Sequence, residues 1–113
     1  MKNRVLSMIG IAAKSGNVVS GEFSTEKAVK TGKAWLVIVS EEASDNTRKK
    51  FSNMTDFYEV PMYAFGTKEE LGHCIGKEFR ASLAVVDERL ANAIVEKINA
   101  YTAWAKLNNG GNN

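Results

Sequence analysis

At 113 residues, with 44% apolar and 25% charged content, the chain has the size and make-up of one soluble domain that can bury a single core. A net charge of +2 excludes a large basic field, and no apolar run approaches the ~20 residues of a membrane span. Cys74, alone in the sequence, excludes an internal disulfide and a cysteine zinc cluster and points to a reducing cytoplasm.

Leu6, Ile9, Ala12 and Ala13 recur at helical spacing, so Lys2 to Ser15 reads as a first helix, stopped at Gly16. This segment is basic and then apolar, but Lys14 interrupts it and its apolar residues fit a helix of the domain better than a leader. Val18 to Ser20 is a short strand, and a second helix runs from about Phe23 to Thr31 and closes at Gly32. The continuous apolar run from Ala34 to Val39 is the pattern of a central strand buried on both faces. Ser44 or Asp45 caps a third helix, which reaches about Met54. Pro61 opens a strand from Met62 to Phe65. Thr67-Lys68-Glu69-Glu70 is a capping box that starts a fourth helix, which Gly76 stops. Ser82 to Val86 is another buried strand, and Asp87 caps a long last helix carrying Leu90, Ile94, Ile98 and Tyr101. Regular alternation predicts a three-layer α/β/α sandwich around a four-stranded, largely parallel or mixed sheet. It forms a single domain over residues 1–107, and the Asn- and Gly-rich residues 108–113 are expected to be a disordered tail.

The residues of catalysis are poorly represented. His73 and Cys74 are neighbours on a helix, point about 100° apart and cannot converge on one ligand. The glycines match neither a Walker loop nor a dinucleotide fingerprint, and Glu41-Glu42 reads as a pair of surface loop acids. No cofactor, metal or enzymatic activity is expected.

Anion-binding features are stronger. Residues 1–50 carry nine Lys/Arg against five Asp/Glu, and the remainder carries six against eight, so positive charge is concentrated in the N-terminal half. Within that half, a β-branched run ends at Gly21 and gives way to a lysine-bearing helix. The unpaired N–H groups and positive dipole of such a helix start favour a phosphate. Lys27 and Lys30 lie on one face, Lys33 lies just beyond, and Arg48-Lys49-Lys50 adds a charged helix face. A second loop, Gly76-Lys77-Glu78-Phe79-Arg80-Ala81, mixes a glycine, two cations and a ring. Its cations suit a phosphate, and Phe79 either lies against a base or plugs the core.

These two loops, together with Leu6 to Gly16, Ser20-Gly21 through Ala34, Leu36 to Glu41 and Val60 to Gly72, resemble the kink-turn RNA-binding ribosomal-protein family of the L-seven-Ae and L-thirty-e types. The nearer likeness is to its small bacterial members of the YlxQ type. The resemblance implies the same sandwich fold, no catalysis, and binding to a sharply kinked RNA duplex with tandem sheared G·A pairs. The implied partner is structured RNA, ribosomal RNA included, met by a monomer in the cytoplasm. The implied RNA-binding residues are Gly21, Glu22, Phe23, Ser24 and Lys27 at the turn, Lys68 on the RNA backbone, and Gly76, Lys77, Phe79 and Arg80 in the loop that cradles a flipped-out nucleotide; Lys30, on the helix face of Lys27, is grouped with them by its spacing. One departure stands out. Better-known members carry Asn-Glu where this chain has Phe23-Ser24, and phenylalanine cannot hydrogen-bond a guanine edge. Reduced kink-turn selectivity is expected, with Phe23 either stacking on a base or packing at the helix start. The alternative function is a protein-interaction module on the same fold with little RNA affinity.

Overall fold

A computed structural model describes residues 2–109. Helices and strands alternate in the expected order: α1 (Lys2–Lys14), β1 (Val18–Ser20), α2 (Glu22–Lys30), β2 (Leu36–Val39), α3 (Asp45–Phe57), β3 (Met62–Ala64), α4 (Lys68–Cys74), β4 (Ser82–Val85) and α5 (Glu88–Asn109). Local signals set the starts of three helices. The Ser44 hydroxyl accepts from the Thr47 N–H at 3.2 Å, and the Asp87 carboxylate accepts from the Leu90 N–H at 2.9 Å. Thr67 and Glu70 form the full reciprocal box, at 3.0 and 2.9 Å. Each such cap is worth ~1 kcal/mol.

The strand order is β1-β4-β2-β3. β4 pairs antiparallel with both β1 and β2, and only β2–β3 is parallel. The sheet is therefore mixed, with antiparallel pairing dominant, because the last strand inserts between β1 and β2 and runs against both. Every residue of β2 and β4 is buried. Their alternate side chains serve two separate cores. Leu36, Ile38, Leu83 and Val85 pack with Val5, Ile9 and Ala12 of α1, Leu71 of α4 and Ile94 and Ile98 of α5. Val37, Val39 and Ala84 pack with Ala28 and Val29 of α2 and Phe51 of α3. The sheet thus lies between α1, α4 and α5 on one side and α2 and α3 on the other. Each fully buried Leu, Ile, Val or Phe contributes ~1.5–3 kcal/mol relative to exposure.

Helix α5 runs two residues further than the sequence suggests. Asn108 and Asn109 continue it, and the Asn108 side-chain amide donates to the Trp104 carbonyl at 2.8 Å. Two residues expected in the tail are therefore helical, and residues 110–113 lie outside the described residues.

The segment 76–81 crosses α4 in close backbone contact. The Lys77 N–H donates to the Gly72 carbonyl at 2.8 Å, and the Arg80 N–H to the Lys68 carbonyl at 3.0 Å. A Cβ on Gly72 would stand 2.2 Å from the Glu78 carbonyl oxygen and 2.9 Å from the Phe79 nitrogen. Backbone atoms cannot rotate aside as a side chain would, so the crossing requires glycine there. Gly72→Ala is expected to lift the segment off α4 and to cost ~1–3 kcal/mol, as overpacking does. Urea unfolding checks the size of the loss, and amide exchange over residues 76–81 checks its place.

Candidate nucleic-acid interface

The strand registers gather the candidate residues at one edge. Ser20 pairs opposite Leu83, and Val39 lies opposite both Ser82 and Ala64. The last residues of β1, β2 and β3 and the first of β4 consequently share an edge, from which α2, α3 and α4 depart. At that edge Gly21 adopts φ 92°, ψ 160°, a conformation essentially confined to glycine. Its N–H donates to the Ser82 carbonyl at 2.9 Å and its carbonyl accepts from the Thr25 N–H at 3.0 Å. No side chain caps the start of α2 at this position. The N–H groups of Glu22, Phe23 and Ser24 precede any helical acceptor and carry the positive end of the helix dipole. A Cβ placed on Gly21 would meet nothing within 4 Å, so the space beside this residue is open and its need for glycine is conformational.

Charge along α2 is partitioned by helix α3. The Lys50 ammonium lies 2.8 Å from the Glu22 carboxylate and 2.6 Å from that of Glu26, and Lys30 lies 2.7 Å from Glu26. Hydrogen bonds from Lys30 and then Lys50 hold Glu26 down at about 2, and the two carboxylates in turn push Lys50 up. Lys30, grouped with the RNA contacts by its spacing, is thus occupied by Glu26. Among the described residues Lys27 and Lys33 make no ion pair, and both are exposed. The unpaired positive charge on α2 and just beyond its end is concentrated on them. Of the neighbouring basic run, Arg48 donates through Nη2 to the Glu41 carbonyl, and Lys49 is exposed.

The second loop is pinned against this turn. Arg80 Nε donates to the Ser20 hydroxyl at 3.0 Å and its Nη1 to the Phe79 carbonyl at 2.8 Å. With the Arg80 N–H on Lys68, one residue links the end of β1, the start of α4 and the loop. Gly21, Lys68 and Arg80 are therefore brought together across some sixty residues of chain. Gly76, Lys77 and Phe79 are exposed on the same loop; Phe79 is 61% exposed and does not plug the core. Phe23 is 79% exposed, which rules out packing as a staple at the helix start. It flanks a groove of about 420 Å³ floored by Val19, Ala28 and Val86 and edged by Lys27 and Lys33.

Glu41 and Glu42 have a role that their position in the sequence does not reveal. The Glu41 carboxylate accepts from the Gly66 N–H at 3.1 Å, and that of Glu42 from the Lys68 N–H at 2.9 Å. They brace the turn into α4. The acid pair after a strand end was visible, but its acceptor role depends on partners some 25 residues away. His73 is exposed, 3.9 Å from Glu69, and burial pushes the half-buried Cys74 thiol up to about 11. No cluster of His, Cys, Asp or Glu among the described residues could hold a metal, and none of their helices is long and apolar enough to cross a membrane.

The sequence profile of the ribosomal protein L7Ae/L30e/S12e/Gadd45 family matches residues 3–95. The RNA-binding protein YlxQ of Bacillus subtilis is 36% identical over 92 residues, 81% of this chain and 92% of that protein. The large ribosomal subunit protein eL30 of Methanococcus maripaludis is 35% identical over 92 residues, 80% of this chain and 92% of that one. Among solved structures, a protein of unknown function from Bacillus halodurans C superposes with a TM-score of 0.82 at 33% identity, covering 84% of this chain and 96% of that chain.

The ion-pair geometry yields a pH signature. Glu26 is held at about 2 against an ordinary value of 4.5, so its contribution to stability is fully present above about pH 4.5 and is lost as pH falls toward 2. In Lys50→Met the midpoint of Glu26 is expected to rise toward the ordinary value while Lys30 still holds it partly down. Carboxyl-carbon NMR titration of both proteins measures the two midpoints, and equal midpoints would exclude the Lys50 contact.

Proposed function

The chain belongs to the ribosomal protein L7Ae/L30e/S12e/Gadd45 family, and on that footing we propose that it is a non-catalytic protein that binds structured RNA, ribosomal RNA included, in the cytoplasm. The observation that carries this reading is the Arg80–Ser20 hydrogen bond. It sets the uncapped start of α2 beside the cationic loop that crosses α4. Donors in a helix start and unpaired lysines suit phosphates, and exposed rings suit unstacked bases. In this reading Gly21 admits the RNA backbone, and Glu22, Phe23, Ser24 and Lys27 face its groove. Lys68, Gly76, Lys77, Phe79 and Arg80 follow the strand as it leaves, and Lys30 contributes chiefly by orienting Glu26. The RNA form proposed is a kinked duplex of the kink-turn kind, bound by a monomer. Phe23-Ser24 offers fewer hydrogen-bonding groups to paired guanines than Asn-Glu would, so selectivity over straight duplex is expected to be modest.

A second reading, a protein-interaction module, draws on a different surface. Trp35, Phe57 and Tyr58 are exposed at the opposite edge of the sheet, the latter two in edge contact at 4.9 Å. That surface lies away from the α2 turn.

A gel-shift titration against a kink-turn RNA and a straight duplex, repeated across a salt series, separates the two readings. Lys27→Ala is expected to weaken RNA binding while changing stability by no more than ~0.5 kcal/mol. The loss of one phosphate contact should lower the salt slope of log affinity by ~0.9, the duplex DNA value. Wild-type affinity and slope in Lys27→Ala would remove the α2 turn from the interface, and no shift of either RNA would favour the interaction module.

A further inference from the structure

We propose that the groove beside Phe23 is a seat for one unstacked nucleotide of the bound RNA, with its base laid on the Phe23 ring and its phosphate on Lys33. The inference rests on the RNA reading above and deepens it. Three features of the groove point the same way. Its floor, Val19, Ala28 and Val86, is apolar and suits a flat ring rather than a bare anion. Its rim carries Lys27 and Lys33, neither held in an ion pair among the described residues, and no carboxylate lines it. That sign favours an anionic group and disfavours a basic peptide. Its outer wall is Phe23, 79% exposed, a ring that the fold leaves uncovered.

The groove volume of about 420 Å³ falls in the range of small-ligand clefts, ~300–1,000 Å³. A base inside a duplex is covered on both faces and cannot stack on a side chain, so the occupant must be unpaired and turned out of the helix. The groove is also continuous with the open helix start, because Phe23 and Ser24 belong to both. A strand whose backbone meets the N–H groups after Gly21 passes directly over it. Lys33 lies beyond the last residue of α2, a helix of nine residues and so about 13 Å long. The two anchor points are therefore far enough apart to hold successive parts of one strand. This seat is separate from the 76–81 loop, which lies on the other side of the α2 turn, across Ser20.

The test uses the full chain with 13C-labelled valine methyls, titrated with a kink-turn RNA, with AMP, and with ribose 5-phosphate as a control lacking the base. The Val19 and Val86 methyls are expected to shift with RNA and with AMP, and to stay in place with ribose 5-phosphate. Phe23→Leu, which keeps an apolar side chain but removes the ring, should weaken RNA binding by roughly five- to tenfold. Phe23→Tyr, which keeps the ring, should stay within about twofold. Lys33→Ala should lower the salt slope by ~0.9. If RNA shifts the amides of residues 22–24 but leaves both valine methyls unmoved, and Phe23→Leu binds like wild type, the seat is overturned and the RNA reading stands. If RNA shifts neither set, both fail together.

Discussion

Strands β2 and β4 lie between two cores, and neither face of either strand can turn to water. Leu36 and Ile38 belong to one core and Val37 and Val39 to the other. A slip of one residue in the β2–β4 register would exchange the two sets and break both cores, so burial fixes the register absolutely. Everything at the edge that holds Gly21 and Ser82 inherits that constraint. Because Val39 faces Ser82 and Ser20 faces Leu83, the Ser82 carbonyl falls where the Gly21 N–H can reach it. The helix start opens outward as a result, and Arg80 can reach back to Ser20.

Electrostatics refines what packing has placed. Exposed ion pairs contribute little to stability, so the Lys50 link to Glu22 and Glu26 matters chiefly for where charge remains. It neutralises the acidic side of α2 and leaves Lys27 and Lys33 as the outward cations. Glu41 and Glu42 act differently. Their oxygens are spent on backbone donors, which sets the entry angle of α4 and carries Lys68 and its carbonyl to Arg80. Two kinds of acid thus shape the surface around the α2 turn, one by pairing with a lysine and the other by holding backbone donors.

Much of this was legible in the sequence where the cause is local. The Thr67–Glu70 box, the caps at Ser44 and Asp87 and the apolar run of β2 all depend on residues within a few positions of one another. Lys30 was grouped with the RNA contacts, although its spacing of four from Glu26 equally suits the ion pair that engages it. What was not legible depends on distant partners. The antiparallel course of β4 between β1 and β2 leaves no trace in a run of Leu, Ala and Val, which suits either direction. The bracing role of Glu41 and Glu42, and the claim of Lys50 on Glu22, need the fold before the partners exist. The choice for Phe23 between staple and free ring likewise turned on packing, and the 79% exposure decided it.

The strand order also governs when the surface can exist during synthesis. β1 has a single neighbour in the sheet, β4, whose residues follow it by some sixty positions. Until β4 has emerged and inserted, β1 has no strand to pair with, and Ser20 has no Arg80 beside it. A growing chain that has made only α1 through α4 therefore carries the lysines of α2 without the geometry that aims them. Completing the surface requires closing the long loop between β1 and β4, a non-local pairing whose entropic cost slows folding in such topologies.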